Sequence, residues 1–495
     1  MALLLGYDVG SSSVKATLME AGTGKVFGAA TSPNRELEII AKKPGWAEQH
    51  PETWWEHVKL ATAKIRERTQ FDPWDVKAIG ISYQMHGLVA VDKNGRVLRP
   101  SIIWCDSRAV PIGQQAAKTI GPKKCLKRLL NLPGNFTASK LKWVKDNEPK
   151  VYAKIAKIML PGDYIAMKMT GEIRTTPSGL SEGILWDYEK DGLAEFVLAN
   201  YGISPELIPE TVPTFSVQGE LTAAAAEELG LKTATKISYR AGDQPNNALS
   251  LSVLRPGEIA VTAGTSGVVY GVTDQKSYDP KSRVNVFVHV NHSAKKPRYG
   301  VLLCVNGTGI LNSWLKQNFA GEGMDYPQMN EIAMQAPVGA DGLTILPYGN
   351  GAERTLDNRD IGASVHGWNF NIHKRQHFLR AAQEGIVFAL NYGLQIMKDM
   401  GARPKTVKAG NANMFLSPLF AHAFATVTGA TVELFNTDGS QGAARGAGIG
   451  SGLYKGLDEA FVGLEPVRTV APSKQLKKVY EAVYENWVGM LDKQL

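Results

Sequence analysis

The chain has 495 residues, of which 44% are hydrophobic and 21% are charged, and its formal net charge at pH 7 is +8. A chain of this length exceeds what one hydrophobic core normally supports, so we expect two domains. No apolar run is long enough to cross a bilayer and no export signal opens the chain, so we expect a cytoplasmic protein that does not insert into membranes.

The first predicted element is a strand, a turn of small residues and a second strand, over residues 3–18. Its turn contains Gly10, Ser11 and Ser12, and Asp8 and Lys15 flank the turn. Backbone amides and hydroxyls in such a turn form a concave anion site, and a carboxylate at Asp8 could hold the Mg²⁺ that a phosphate brings. An ordinary tight hairpin is the alternative interpretation.

The rest of the first half alternates strands and helices, which is typical of an α/β domain. The predicted strands cover residues 76–82, 89–92 and 236–240, and the predicted helices cover residues 54–68 and 139–147, with Pro51 marking the first helix start. Residues 175–216 are less regular and richer in Pro and Gly. We expect this segment to be an insertion that walls a pocket or caps a domain.

Basic residues concentrate between residues 123 and 145, and nucleic-acid binding is one explanation for them. The residues concerned are Lys124, Lys127, Arg128, Lys140 and Lys142. No aromatic-interleaved basic motif accompanies them, so we interpret them as a solvated helix face.

Candidate binding residues follow the predicted strands, because ligands of open α/β sheets bind at the carboxyl ends of strands. Asp243 follows the strand at 236–240, and we interpret it as a base that takes a proton from a substrate hydroxyl. The alternative is an Asp that caps a helix over residues 246–253. Residues after two other strands offer the polar groups and apolar wall that a polyol needs. These are Met85, His86, Trp104, Asp106 and Arg108.

The second half repeats the opening pattern, with a strand, the turn Gly264-Thr265-Ser266 and another strand over residues 258–272. Two such turns could hold one polyphosphate from opposite sides, so nucleotide-dependent phosphoryl transfer is the leading hypothesis. Further predictions are a strand at 301–305, helices at 310–317, 378–400 and 417–428, a small-residue helix at 441–454 suited to close packing, and a terminal helix from residue 474.

Taken together and in this order, the motifs of the chain resemble those of the FGGY carbohydrate kinases, and within that family the xylulose kinases. The matching segments are Asp8–Lys15, Gly45–Gln49, Trp54-Trp55, Gln84–Gly87, Trp104–Arg108, Pro161–Tyr164, Gly242–Gln244, Gly264–Ser266, Leu346–Tyr348 and Glu353–Thr355. The resemblance implies two ribonuclease-H-like domains of the actin and hexokinase superfamily flanking a central cleft. Residues 1–245 would form the sugar-binding domain, and residues 246–495 the nucleotide-binding domain with a terminal helix.

The resemblance also implies an activity. It is ATP-dependent phosphorylation of D-xylulose to D-xylulose 5-phosphate with Mg²⁺, and with Asp243 as the general base. The alternatives are a kinase for another polyol, such as ribulose, gluconate or glycerol, or a regulator that binds sugar and nucleotide without catalysis. The expected partners are a sugar and ATP, with neither nucleic acid nor membrane, and a homodimer is an open alternative to a monomer.

Site residues carry over from the resemblance by position. Those implied to bind the sugar are Met85, His86, Trp104, Asp106, Asp243 and Gln244. Those implied to bind the nucleotide are Gly10, Ser11, Ser12, Lys15, Gly264, Thr265, Ser266, Gly309, Gly410, Asn411 and Asn413. Asp8 is implied to hold Mg²⁺, directly or through water. The chain departs from the pattern at Gln244, where xylulose kinases commonly have Asn, at Gly410, where a glycine pair is usual, and at Glu182, where small residues are usual.

Overall fold

The computed structural model describes residues 1–319, 321 and 323–495. A mixed β-sheet from each half of the chain forms its centre. With strands numbered in chain order, the first sheet runs β13 (Phe215–Glu220), β14 (Lys236–Gly242), β5 (Val76–Tyr83), β1 (Leu3–Val9), β2 (Val14–Glu20), β3 (Val26–Ser32). The second sheet runs β17 (Asn285–Val288), β18 (Tyr299–Val305), β16 (Gly267–Thr273), β15 (Ile259–Ala263), β21 (Thr406–Gly410), β22 (Thr431–Phe435), β23 (Pro466–Val470).

The two sheets share one topology. In the first sheet β1, β2 and β3 are antiparallel neighbours, and β5 and then β14 continue parallel to β1 on its other side. In the second sheet β15, β16 and β18 repeat the antiparallel part, and β21 and β22 repeat the parallel part. The prediction of two related α/β halves is therefore confirmed.

Short strand pairs lie outside the two sheets. They are β4 (Glu48–Gln49) with β7 (Ser101–Ile102), β6 (Val89–Val91) with β8 (Lys157–Met159), β9 (Arg174–Thr175) with β12 (Glu210–Thr211), β10 (Trp186–Asp187) with β11 (Gly192–Leu193), and β19 (Thr344–Tyr348) with β20 (Gly362–His366).

Helices cover both faces of the sheets. In the first half they are α1 (Pro51–Arg68), α2 (Val110–Ile120), α3 (Pro122–Leu129), α4 (Thr137–Asn147), α5 (Pro149–Tyr152), α6 (Pro161–Thr170), α7 (Pro177–Glu182), α8 (Glu195–Tyr201), α9 (Ala223–Leu229) and α10 (Asp243–Ser250). In the second half they are α11 (Gly309–Asn318), α12 (Tyr326–Met334), α13 (Arg375–Asp399), α14 (Pro418–Thr428), α15 (Gly439–Gly450) and α16 (Lys477–Asp492). Within the described residues, we find no helix with the length and apolar character that a membrane span requires.

Several predicted helices differ from the structure by a few residues at their ends, and two of them show a physical reason. Helix α10 begins at Asp243, three residues earlier than predicted, because Pro245 lies in the first turn, where a helix needs no amide donor. Helix α15 covers residues 439–450 and ends before Tyr454 because Gly452 adopts the left-handed conformation, with a φ of 74°, and the chain turns there.

Helix α15 belongs to the second half of the sequence but packs on the first sheet, against β1, β5 and β14. A Cβ atom at Gly80 would lie 2.0 Å from the carbonyl oxygen of Ala443, and a Cβ atom at Gly6 would lie 1.9 Å from that of Ser440. On the helix side, Gly446 has no room for a side chain either, because a Cβ atom there would lie 2.5 Å from the ring of Tyr239. The small-residue helix thus packs closely, as predicted. The division of the chain at residues 245 and 246 stays a prediction.

The contact between α15 and the sheet predicts a large effect for one added methyl group. We expect Gly80→Ala to lower the free energy of unfolding by about 1–3 kcal/mol or more, because two backbones must separate to admit it. The control is Gly489→Ala, since nothing lies within 4 Å of its Cβ position in α16. Alanine there should stabilise the protein by up to about 1 kcal/mol. Denaturant unfolding measures both, and equal stability of Gly80→Ala and the wild type would contradict the packing described here.

Candidate active site

The candidate site lies at the carboxyl ends of three neighbouring parallel strands. Asp8 of β1 is in register with Ser82 of β5, which is in register with Ala241 of β14. Adjacent strands lie about 4.8 Å apart, so the backbone at Asp8 and the end of β14 are separated by about 10 Å. Asp243 follows directly after β14. The two predicted carboxylates therefore come from the same edge of the sheet.

Asp8 lies against the start of helix α15. The Ser82 hydroxyl donates a hydrogen bond of 2.9 Å to its Oδ1, and a Cβ atom at Gly439 would lie 2.5 Å from its Oδ2. The side chain of Asn246 in α10 donates to the carbonyl oxygen of Gly439 at 2.8 Å. Burial raises the pKa of Asp8, while the Ser82 hydrogen bond and the charge of Lys15 lower it.

Asp243 is the first residue of α10, and Gly242 holds the cap position. Burial and, to a lesser extent, the negative charge of Asp8 raise the pKa of the Asp243 carboxyl to about 7. The alternative interpretation was that Asp243 caps the helix. The cap position is held by Gly242 instead, and Asp243 is the first residue within the helix. At neutral pH the carboxyl is close to half ionised and can exchange a proton.

Gly242 is packed too closely to carry a side chain. A Cβ atom there would lie 2.6 Å from Cγ of Met85 and 2.7 Å from Oε2 of Glu182. Glu182 is 1% exposed, and burial raises the pKa of its carboxyl well above the usual value, with the charge of Asp243 contributing. The Glu182 carboxyl therefore lies next to the backbone that carries Asp243, in buried surroundings that oppose its ionisation. The sequence showed that Glu182 is unusual at this position, but it could not show that the Glu182 carboxyl packs against Gly242.

His86 presents a neutral imidazole. Its Nδ1 donates to the main-chain carbonyl of Glu182 at 2.8 Å, which leaves Nε2 as an acceptor. Burial and, to a lesser extent, the charges of Lys140 and Arg354 lower the pKa of His86 to about 3. The ring packs edge-on against Phe136 with centroids 4.9 Å apart. The ring of Phe287, which belongs to the second sheet, also packs against His86, with ring centroids 5.6 Å apart.

The prediction of a solvated helix face is wrong for Lys140. Its side chain is fully buried, and its Nζ donates to the carbonyl oxygens of His86 at 2.8 Å and of Ile103 at 2.9 Å. Burial lowers the pKa of Lys140 to about 7. These two hydrogen bonds replace the water that the prediction assumed, and they join the loop that carries His86 to the loop that carries Trp104.

Trp104 and Asp106 have different surroundings. Trp104 is 52% exposed. Its Nε1 donates to the hydroxyl of Ser11 at 3.2 Å, which connects the loop that carries Trp104 to the turn between β1 and β2. The Asp106 carboxylate is fully buried and accepts hydrogen bonds from the Arg108 guanidinium at 2.6–3.0 Å and from the Ala47 amide at 2.6 Å. Asp106 thus fixes the position of its loop.

The turn between β1 and β2 is held by hydrogen bonds to its backbone. The Gly10 amide donates to the carbonyl oxygen of Ser13 at 3.0 Å, and the Gln49 side chain donates to that of Ser11 at 2.7 Å. The carbonyl oxygen of Ser12 accepts a hydrogen bond of 2.8 Å from the amide of Leu37. Lys15 is exposed and stands opposite Asp8 in the β1–β2 register.

A cavity of about 690 Å³ lies beside the corresponding turn of the second half. The predicted nucleotide-binding residues that line it are Gly264, Thr265, Gly309 and Asn413. Apolar walls come from Ile310, Tyr326, Met334, Met414 and Leu416. The mixture of a polar turn and an apolar wall suits a ligand with a phosphate tail and a flat base.

The backbone around this cavity is tightly packed. The Gly309 amide donates to the carbonyl oxygen of Gly264 at 2.9 Å, and a Cβ atom at Gly309 would lie 2.3 Å from that oxygen. The predicted nucleotide-binding residues of the second half that do not line the cavity are Ser266, Gly410 and Asn411, and those of the β1–β2 turn do not line it either. The Asn411 amide instead donates to the carbonyl oxygen of Phe435 at 2.8 Å. Gln244 lies beside Asp243 and its amide contributes to lowering the pKa of that carboxyl.

Comparison with known proteins gives a consistent result. The N-terminal domain model of the FGGY family of carbohydrate kinases matches residues 3–250, and its C-terminal domain model matches residues 259–449. The xylulose kinase of Bacillus subtilis (strain 168) is 31% identical, over 93% of this chain and 90% of that protein. The xylulose kinase of Lactococcus lactis subsp. lactis (strain IL1403) is 30% identical, over 98% of this chain and 96% of that protein.

A solved structure agrees with both. The crystal structure of the xylulose kinase from Rhodospirillum rubrum superposes with a TM-score of 0.88 at 26% identity, and covers 99% of this chain and 98% of that one. This likeness confirms the expected α/β fold of two ribonuclease-H-like domains around a cleft. The chain therefore belongs to the FGGY family of carbohydrate kinases.

Proposed function

We propose that this carbohydrate kinase transfers the γ-phosphoryl group of ATP to the terminal hydroxyl of D-xylulose, with Asp243 as the general base. The observation that carries the proposal is the carboxyl of Asp243, whose pKa of about 7 suits proton transfer at neutral pH, on the same sheet edge as Asp8. A base of this kind contributes about 10²–10⁴-fold to the rate. The sugar hydroxyl would lose its proton to Asp243 as it attacks the γ-phosphorus.

Asp8 and the start of α15 support the phosphate side of this proposal. Helix N-termini attract anions because their first amides point outward. Asp8 fits Mg²⁺ because a carboxylate is a ligand that Mg²⁺ prefers, together with water and phosphate oxygens. Within the described residues no group of three or more His, Cys, Asp or Glu side chains could hold a metal ion, so phosphate and water would complete the coordination. When bound, Mg²⁺ would neutralise charge on the transferred group.

The sugar side favours a neutral ketose. The Nε2 of His86 is an acceptor for a hydroxyl, and Met85 and the exposed Trp104 supply apolar surface. Relatives that match over nearly the whole chain carry the name xylulose kinase. Ribulose, gluconate and glycerol remain the alternatives against which the proposal is tested.

The substrate prediction is tested with purified protein, ATP and Mg²⁺. We expect ADP release to be fastest with D-xylulose when kcat/KM is compared across D-xylulose, D-ribulose, D-gluconate and glycerol. The control is ADP release without sugar, which should be slow because water competes poorly in a closed site. A clear lead for glycerol or gluconate would contradict the choice of sugar. Release at the sugar-free rate with every sugar would favour a non-catalytic binding protein.

The role of Asp243 predicts a selective loss of catalysis. We expect Asp243→Asn to reduce kcat by about 10²–10⁴-fold, because the amide cannot take the proton, while ATP affinity changes little. The measurements are steady-state ADP release and ATP binding by calorimetry. Asp458→Asn is the matched control, since the Asp458 side chain is 92% exposed and far from the site in its contacts. Turnover retained in Asp243→Asn would remove Asp243 as the base.

The raised pKa of Asp243 also predicts a pH-dependent effect on stability. Its carboxyl holds a proton more tightly in the folded state than in the unfolded state, so ionisation destabilises the fold. We expect Asp243→Asn to stabilise the protein most above pH 7, less as the pH falls from about 7 towards 4, and not at all below that. Denaturant unfolding at several pH values measures this. A stabilisation that does not vary with pH would contradict the assigned pKa.

A further inference from the structure

Arg354 belongs to a matched motif to which the mechanism above gives no role. It begins a short 3-10 turn at residues 354–356, next to the end of β18. Glu353 fixes this position, because its Oε1 accepts from the amides of Asn306 at 2.8 Å and Gly307 at 3.2 Å. The turn that carries Arg354 is thereby tied to the loop that follows β18.

The Arg354 guanidinium lies in the cleft between the two halves. A Cβ atom at Gly134, which belongs to the first half, would lie 3.9 Å from its Nη2. Its positive charge lowers the pKa of His86 in the first half and that of Cys304 in β18. Asp243 raises the pKa of the same Cys304 thiol, which burial raises first. Cys304 therefore lies within electrostatic reach of both Arg354 and the proposed base.

Arg354 has donors to offer in this cleft. Its Nη1 is shielded from solvent and has no hydrogen-bond partner in the part of the chain that the structure describes. No carboxylate of that part forms an ion pair with it either. A buried guanidinium donor without an acceptor costs free energy, so its retention favours a ligand that supplies oxygen atoms.

We infer that Arg354 is a sugar-binding residue, whose guanidinium donates hydrogen bonds to the oxygens of a neutral ketose held between His86 and the base. This inference rests on the proposed function and deepens it. It adds a charged donor from the second half to a site whose other predicted sugar-binding residues belong to the first half. A hydrogen bond from a charged donor contributes more than one from a neutral donor, so the sugar should bind best when both halves meet around it.

The test is Arg354→Met, compared with Arg354→Lys and with Arg359→Met as the matched control. Arg359 lies in the same segment but is exposed and donates to the carbonyl oxygen of the C-terminal Leu495. We expect Arg354→Met to raise the KM for D-xylulose by about 10- to 100-fold, because one charged hydrogen bond is lost. The KM for ATP and the thermal midpoint should stay at the wild-type values. Arg354→Lys should give an intermediate KM, and Arg359→Met should match the wild type.

The outcomes separate the inference from the proposed function. A wild type that phosphorylates D-xylulose, with an unchanged sugar KM in Arg354→Met, overturns the inference alone. Equal increases in the KM values for sugar and ATP would indicate a structural role and also overturn it. If the wild type prefers another sugar, the KM of Arg354→Met is measured for that sugar instead of D-xylulose. If Arg354→Met does not fold, a wild-type sugar KM in Arg354→Lys overturns the inference. A wild type that neither binds nor phosphorylates any sugar overturns both.

Discussion

The close contact between helix α15 and the first sheet is the constraint on which the active site depends. Gly6 and Gly80 on the sheet, and Gly446 on the helix, leave out side chains at points where the backbones touch or a ring packs. With the helix held at this distance, Gly439 lies against the Asp8 carboxylate. The same residue accepts a hydrogen bond from Asn246, in the helix that begins with Asp243. One packing contact therefore fixes the phosphate-side carboxylate relative to the proposed base.

The site gains its chemistry at a cost in stability. Asp8, Asp243 and Glu182 are carboxyl groups close to one another, and burial raises the pKa of each of them. Buried carboxylates without a cation oppose folding, since their charge is poorly solvated. Packing in the rest of the fold must offset this opposition. Asp243 keeps a pKa of about 7, which suits the proposed base.

Sequence patterns predicted the parts of this site that depend on local structure. The two strand-turn-strand segments have characteristic small-residue turns. The position of Asp243 after a strand fitted a helix cap as well as a base, and only these turns favoured the base. Lys140 was misjudged because its environment is made by the carbonyl groups of His86 and Ile103, which lie far from it in the chain. The small residues of α15 indicated close packing but not which sheet the helix meets. Phe287 could not be anticipated either, because its contact with His86 requires the two halves to come together.

The two ligands of a kinase with this architecture depend differently on the arrangement of the halves. The residues lining the 690 Å³ cavity, where the nucleotide base is proposed to bind, all come from the second half. Around His86, a proposed sugar-binding residue, both halves contribute. Phe287 contacts His86, and the amide of Val288 donates to the Ser181 hydroxyl at 2.9 Å. A change in the angle between the halves would therefore disturb the sugar site first. Because water exclusion also requires closure, productive sugar binding and protection of the phosphoryl group against hydrolysis follow from the same contact.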